Sequence, residues 1–190
     1  MSEIVLFGNW EAGWAIELHT TKSTLLDDGS FDNTYTKTGE ALNKLKYHND
    51  YSQITTLSEI ATDFLKTRIV TPYIDVIIPA PPSNYDREKQ PVFEIAKNIS
   101  RTLNIPLDEE YIEKIKDTNQ LKSIENKKER NNILSGAFGV QDLRYKNKKI
   151  LLFDDLYRSG STLKEITKIL YNAEVNNVYV MALTKTRTKK

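Results

Sequence analysis

Apolar residues recur along the chain with two different periods. Trp14, Ile16 and Leu18 alternate with Ala15, Glu17 and His19, the spacing of a half-buried strand. Strands are therefore expected over 3–7 and 14–20, joined by the turn-like Gly8-Asn9-Trp10-Glu11-Ala12-Gly13. Residues 21–38 are rich in Thr, Asp, Ser and Gly and predict a long loop. A helix is expected over 40–48, with Leu42, Leu45 and Lys46 bracketing one face. Leu57, Ile60, Ala61, Phe64 and Leu65 then form a helical stripe that faces a core.

The run from Tyr73 to Pro79 favours a central parallel strand. Val92, Ile95, Ala96, Ile99 and Leu103 predict a crossover helix over 91–103. Residues 111–115 read as a short strand. Residues 116–135, charged and without a period, read as a mobile segment. A strand at 149–154, a helix at 161–172 carrying Leu163, Ile166, Ile169 and Leu170, and a strand at 177–184 complete a βαβ unit. Strands alternating with helices predict an α/β fold, a parallel sheet with right-handed crossovers. No repeat or low-complexity linker interrupts the 190 residues, so a single domain is expected.

Composition narrows the classes. A hydrophobic content of 39% and a charged content of 28% suit a globular domain with a sizeable core. With 27 basic and 26 acidic residues no global field points to nucleic acid. Lys185, Arg187, Lys189 and Lys190 read as a solvated tail. The absence of cysteine excludes disulfides, thiolate nucleophiles and cysteine-held zinc. No apolar run reaches the roughly 20 residues of a membrane span, and the N-terminus lacks signal-peptide features, so a cytoplasmic protein is expected. His19 and His48 have no metal-ligand spacing and read as structural or surface residues. Asp27-Asp28 reads as turn chemistry. Trp10, Trp14, Phe31 and Tyr35 read as packing residues, with stacking on a base as the alternative.

The chemistry concentrates in Ile150–Leu163, Ile-Leu-Leu-Phe-Asp-Asp-Leu-Tyr-Arg-Ser-Gly-Ser-Thr-Leu. A buried-strand signature ends in two carboxylates, a loop of hydroxyls with one glycine follows, and an amphipathic helix begins. In an open α/β sheet ligands bind beyond the carboxyl ends of the strands. Backbone N–H groups opening a helix suit a phosphate. The expected pairing is a phosphate at Arg158, Ser159, Gly160, Ser161 and Thr162, and a polyhydroxyl group at Asp154 and Asp155.

This stretch resembles the signature of the type I phosphoribosyltransferases, which bind 5-phosphoribosyl-1-pyrophosphate (PRPP). The resemblance implies a Rossmann-like parallel sheet flanked by helices, with residues 1–70 giving a small N-terminal hood and first helices and 71–190 the PRPP-binding core. Asp154 and Asp155 would contact the ribose hydroxyls, and Arg158–Thr162 would wrap the 5′-phosphate. The loop Pro79-Ala80-Pro81-Pro82-Ser83-Asn84 would hold the pyrophosphate through Ala80, Pro81, Ser83 and Arg87. Three prolines in four positions leave it few N–H donors.

A narrower resemblance, to the ComF-like branch, rests on Pro-Ala-Pro-Pro, on Gln90, and on Glu129-Arg130 ahead of Gly136-Ala137-Phe138. It covers roughly residues 74–184. The cysteine zinc module that often precedes this branch is absent, and Ile133 stands where an Asn is usual. Residues 117–131, with Lys122, Lys127, Lys128 and Arg130, would form a closing loop, Arg130 serving as a catalytic cation. Magnesium is the implied cofactor, PRPP and a nitrogenous acceptor the implied partners, and a homodimer is common in the family. Arg158 stands where purine-recycling relatives place an acid that assists the base, so a hypoxanthine- or guanine-type activity is not expected.

Two functions fit these residues. One is pentosyl transfer from PRPP to nitrogen with release of pyrophosphate. The other is a non-catalytic PRPP- or nucleotide-binding module with a regulatory or DNA-uptake role. A generic phosphate-binding α/β domain is a weaker third.

Overall fold

The computed structural model describes residues 4–82, 89–115 and 135–187. In chain order the elements are β1 (Ile4–Val5), β2 (Ala12–Leu18), β3 (Thr20–Leu25), β4 (Phe31–Tyr35), α1 (Lys37–Tyr47), α2 (Gln53–Lys66), β5 (Val76–Pro79), α3 (Pro91–Leu103), β6 (Ile112–Lys114), β7 (Phe138–Val140), β8 (Lys149–Tyr157), α4 (Ser161–Asn172) and β9 (Asn177–Lys185). Among the described residues no helix is long and apolar enough to cross a membrane.

The main sheet has the order β1-β2-β9-β8-β5. β2, β9, β8 and β5 run parallel, and β1 pairs antiparallel at one edge. Continuous apolar runs make both faces of β8 and β9 adhesive, as a strand covered on two sides requires. Val178, Val180 and Ala182 of β9 meet Leu163, Ile166 and Leu170 of α4 on one face. Met181 and Leu183 join Leu42, Leu57, Leu65 and Ile95 from α1, α2 and α3 on the other. The expected α/β architecture is the observed one.

The N-terminal region differs from the expectation in two ways. Strands β1 and β2, expected within a separate hood, form the edge of the main sheet, because β2 pairs in parallel with β9 from Ala12↔Tyr179 to Leu18↔Lys185. Most of residues 21–38, expected as loop, form a second antiparallel hairpin, β3–β4, that begins at Thr20. Its strands are polar on both faces and exposed almost throughout, so no alternation marked them. This hairpin leaves the carboxyl end of β2 and leads into α1. β3 and β4 therefore lie beyond the carboxyl end of β2, and α1 returns from them to the core. The segment expected to be mobile, 116–135, lies almost wholly outside the described residues.

Candidate functional site

β8 runs past the two acids instead of ending at them. Asp154 faces Ala182 in the register, and pairing with β9 continues to Tyr157↔Lys185. The acids are therefore held by strand geometry on β8. Side-chain alternation slips at this point. Ile150 and Leu152 join the α4 core, and Leu151 and Phe153 the core under α1–α3. Beyond the acids Leu156 lies on the α1–α3 side and Tyr157 on the α4 side, the reverse of the order that strict alternation gives.

The two carboxylates are in different environments. Asp155 is buried, and Lys46 Nζ of α1 donates to it, 3.0 Å from Oδ1 and 2.9 Å from Oδ2. Asp154 Oδ1 accepts the backbone N–H of Asp155 at 2.8 Å. Burial, then the charge of Asp155, pushes Asp154 up to about 7, against the pull of Lys46 and of the N–H groups of Asp155 and Leu156. Burial drags Lys46 down, but Asp155 outweighs it and the ammonium stays above its ordinary range. His19, at the end of β2, has its Nδ1 3.1 Å from Thr184 Oγ1 of β9. Burial first and Lys46 second hold its imidazole below the ordinary value, with Arg158 adding to them and Asp155 opposing. Cations and imidazole thus share one electrostatic neighbourhood with the acid pair.

The expected phosphate loop follows directly. Arg158 and Ser159 are exposed, Thr162 is half-buried, and Gly160 and Ser161 are buried. Gly160 has φ 72°, a conformation that glycine adopts freely, and a Cβ there would overlap the hydroxyl of Tyr157. Tyr157 is fixed in turn by edge-on packing against Trp10, with centroids 6.4 Å apart. Ser159 Oγ lies 3.1 Å from Ser161 Oγ and, at 3.4 Å, accepts the Ser161 N–H. α4 starts at Ser161, and the first amides of a helix have no acceptor within it. Such a turn can receive an anion.

At the neighbouring strand end, Pro79 pairs with Phe153, which sets Ala80 beside the acids. The Ala80 N–H is already given to Phe153 O at 2.8 Å, and proline has no N–H. Ala80 and Pro81 therefore bring shape and no free amide donor to this edge. Ser83, Arg87 and Arg130 lie outside the described residues.

Sequence reasoning missed Lys46, His19 and Thr184 as members of this edge. Lys46 had been placed on an apolar helix face, where a lysine is out of keeping, and that was its one signal. The pairing of His19 with Thr184 spans 165 residues and carries no local pattern.

No protein-family model matches the chain. Over 92 residues it is 27% identical to Competence protein F of Haemophilus influenzae, a match covering 48% of this chain and 40% of that relative. Among solved structures it is similar to an allosteric regulatory enzyme of purine biosynthesis, with TM-score 0.51, 14% identity, and coverage of 84% of this chain and 34% of that one. It also aligns with orotate phosphoribosyltransferase from Aeropyrum pernix, with TM-score 0.46, 12% identity, and coverage of 86% and 73%. The likeness to the purine-biosynthesis enzyme is one of fold. In this fold the strand–loop–helix turn described above, β8–α4, stands at the sheet's carboxyl edge between β9 and β5.

Proposed function

We propose that the chain binds PRPP at the carboxyl edge of β8 and transfers its phosphoribosyl group to a nitrogen acceptor. The observation that carries this reading is the union of two half-sites on one turn. Asp154 and Asp155 stand on the strand, and an anion-receptive helix start follows at Gly160–Ser161. A ribose 5-phosphate has that polarity, with hydroxyls at one end and a dianion at the other. The 5′-phosphate would take the loop Arg158–Thr162, where the guanidinium adds charge-assisted bonds. The ribose hydroxyls would donate to the carboxylates. The nitrogen lone pair would form the bond to C1 as the C1–O bond breaks, its electrons leaving with pyrophosphate. The carboxylates would offset positive charge gathering on the sugar. Arg130, Ser83 and Arg87 remain the proposed partners of the departing pyrophosphate.

Magnesium enters this reading with the substrate, as the Mg²⁺ complex of PRPP. Among the described residues no group of three or more His, Cys, Asp or Glu could hold a metal ion. In that complex the cation would be carried by phosphate oxygens and water. Arg158 cannot take a proton from the acceptor, so an acceptor that needs a carboxylate at this position is disfavoured.

A second reading is a non-catalytic PRPP- or nucleotide-binding module. It is favoured by the similarity to Competence protein F, which suggests a role tied to DNA uptake. One experiment separates them: incubation of the full chain with Mg²⁺–PRPP and a panel of nitrogenous bases, with pyrophosphate release as readout. Release with one base supports transfer. Saturable binding without release supports the module, and absence of binding removes both.

A further inference from the structure

Lys46 stands 109 residues from Asp155 and yet grips both of its oxygens. The side chains are only 19% and 12% exposed, so the pair is largely withdrawn from water. The sequence arranges this through the start of α1. Thr36 accepts the Gly39 N–H at 3.0 Å and donates to Leu18 O at 2.6 Å. Thr38 N–H donates to the Glu17 carboxylate at 3.1 Å. Gly39 permits the close approach, since a Cβ there would overlap the His19 carbonyl oxygen. Gly39, Leu42 and Lys46 lie at i, i+3 and i+7, one face of the helix. The helix is thus anchored on β2 two turns before the lysine, and the ammonium arrives at the acids on a fixed arm.

Stability alone does not account for such a pair. A buried ion pair repays its desolvation poorly, and a well-packed apolar residue often does as well. What the ammonium does is electrostatic. Lys46 of α1 acts on both acids, and Asp155 also acts on His19 after β2, whose imidazole meets the Thr184 hydroxyl of β9 and feels the charges of Lys46 and of Arg158 in the loop. Arg158 is exposed to water, and its charge is correspondingly weakened. Without Lys46, two adjacent carboxylates would share a buried edge with a half-buried imidazole as their nearest support. Like charges so placed cannot both stay ionised. A protonated carboxyl turns a donor toward a sugar hydroxyl, whereas a carboxylate accepts with every lone pair. Each carboxylate oxygen has two lone pairs, so Asp155 can accept from a hydroxyl while Lys46 holds it.

We propose that Lys46 is a positioning residue of the sugar site: it orients Asp155 and supplies the positive charge that lets Asp154 and Asp155 act together as acceptors for a vicinal diol. The inference rests on the reading of the acids as ribose ligands, and it assigns α1 a part in PRPP affinity through charge.

The test uses the full chain and the variants Lys46→Met, Lys46→Gln and Lys46→Arg, each checked for folding by circular dichroism. Mg²⁺–PRPP is titrated calorimetrically across the neutral pH range. Lys46→Met and Lys46→Gln should bind on the order of tenfold more weakly near neutrality, the effect of a one-unit displacement in carboxyl protonation. The deficit should shrink as pH rises, and Lys46→Arg should restore binding. Parent-like affinity of the Met and Gln variants at every pH overturns the proposal. So does a loss that is uniform in pH and not rescued by arginine. Carbon-13 NMR titration of the Asp154 and Asp155 carboxyls without ligand gives an independent readout. The Met and Gln variants should take up a proton at higher pH than the parent, and superimposable titrations overturn the inference. Failure of the ribose reading shows instead in the parent, as absent PRPP binding beside a carboxyl titration that still depends on Lys46.

Discussion

Asp154→Asn should stabilise the protein above neutral pH, although it removes a residue of the proposed site. In the fold, burial and then the Asp155 charge raise this carboxyl from 3.8 to about 7. Between those values the folded state holds a proton that the unfolded chain has released, so stability falls as pH rises through the interval. At about 1.4 kcal/mol per pKa unit, the ceiling on that loss is ~4 kcal/mol. Relaxation of Lys46 and of water around the strand end lowers the realised value to about 1–3 kcal/mol. Asparagine keeps an oxygen for the Asp155 N–H, which Asp154 accepts at 2.8 Å, and removes the charge. Thermal and urea unfolding of parent and variant across the acid-to-alkaline range should give nearly equal stability in acid and a growing advantage for the variant toward pH 8. For a chain of this size each kcal/mol moves Tm by about 2–4 °C. A stability difference independent of pH, or one favouring the parent as pH rises, refutes the account of the acid pair.

Two further outcomes follow from the same edge. His19, held below its ordinary value by burial and Lys46, binds fewer protons folded than unfolded, so it costs stability as pH falls below about 6.5. His19→Gln should remove that acid-side slope in unfolding curves, and an unchanged slope would show that the imidazole is not withdrawn from water. Gly160→Ala forces a side chain into a left-handed backbone at φ 72° and against Tyr157. It should cost about 1–3 kcal/mol in thermal unfolding, and a neutral substitution would mean that the loop differs from the one described.

Legibility in the sequence followed burial. The helix of residues 91–103 and its partner at 161–172 were readable to the residue because each buries one apolar stripe. The strands β5, β8 and β9 announced themselves as apolar runs, though β8 continued through Tyr157 because Leu156 and Tyr157 still find apolar cover after two acids. The β3–β4 ribbon was illegible because it buries almost nothing on either face. The acids and the glycine of the loop were singled out by local chemistry. Their ammonium partner was not, since the contact is made by a helix packed on the sheet, across 109 residues. The engagement of the Ala80 N–H was hidden for a related reason, since the sheet register sets it against Phe153 O.

The most direct measurement is calorimetric titration of Mg²⁺–PRPP into the full chain and into the double variant Asp154→Asn, Asp155→Asn, with both proteins shown to be folded. The account predicts saturable binding at one site in the parent and a loss on the order of a hundredfold in the variant, as two charge-assisted hydrogen bonds are weakened. Equal affinity in the two proteins, or no binding by the parent, would contradict it.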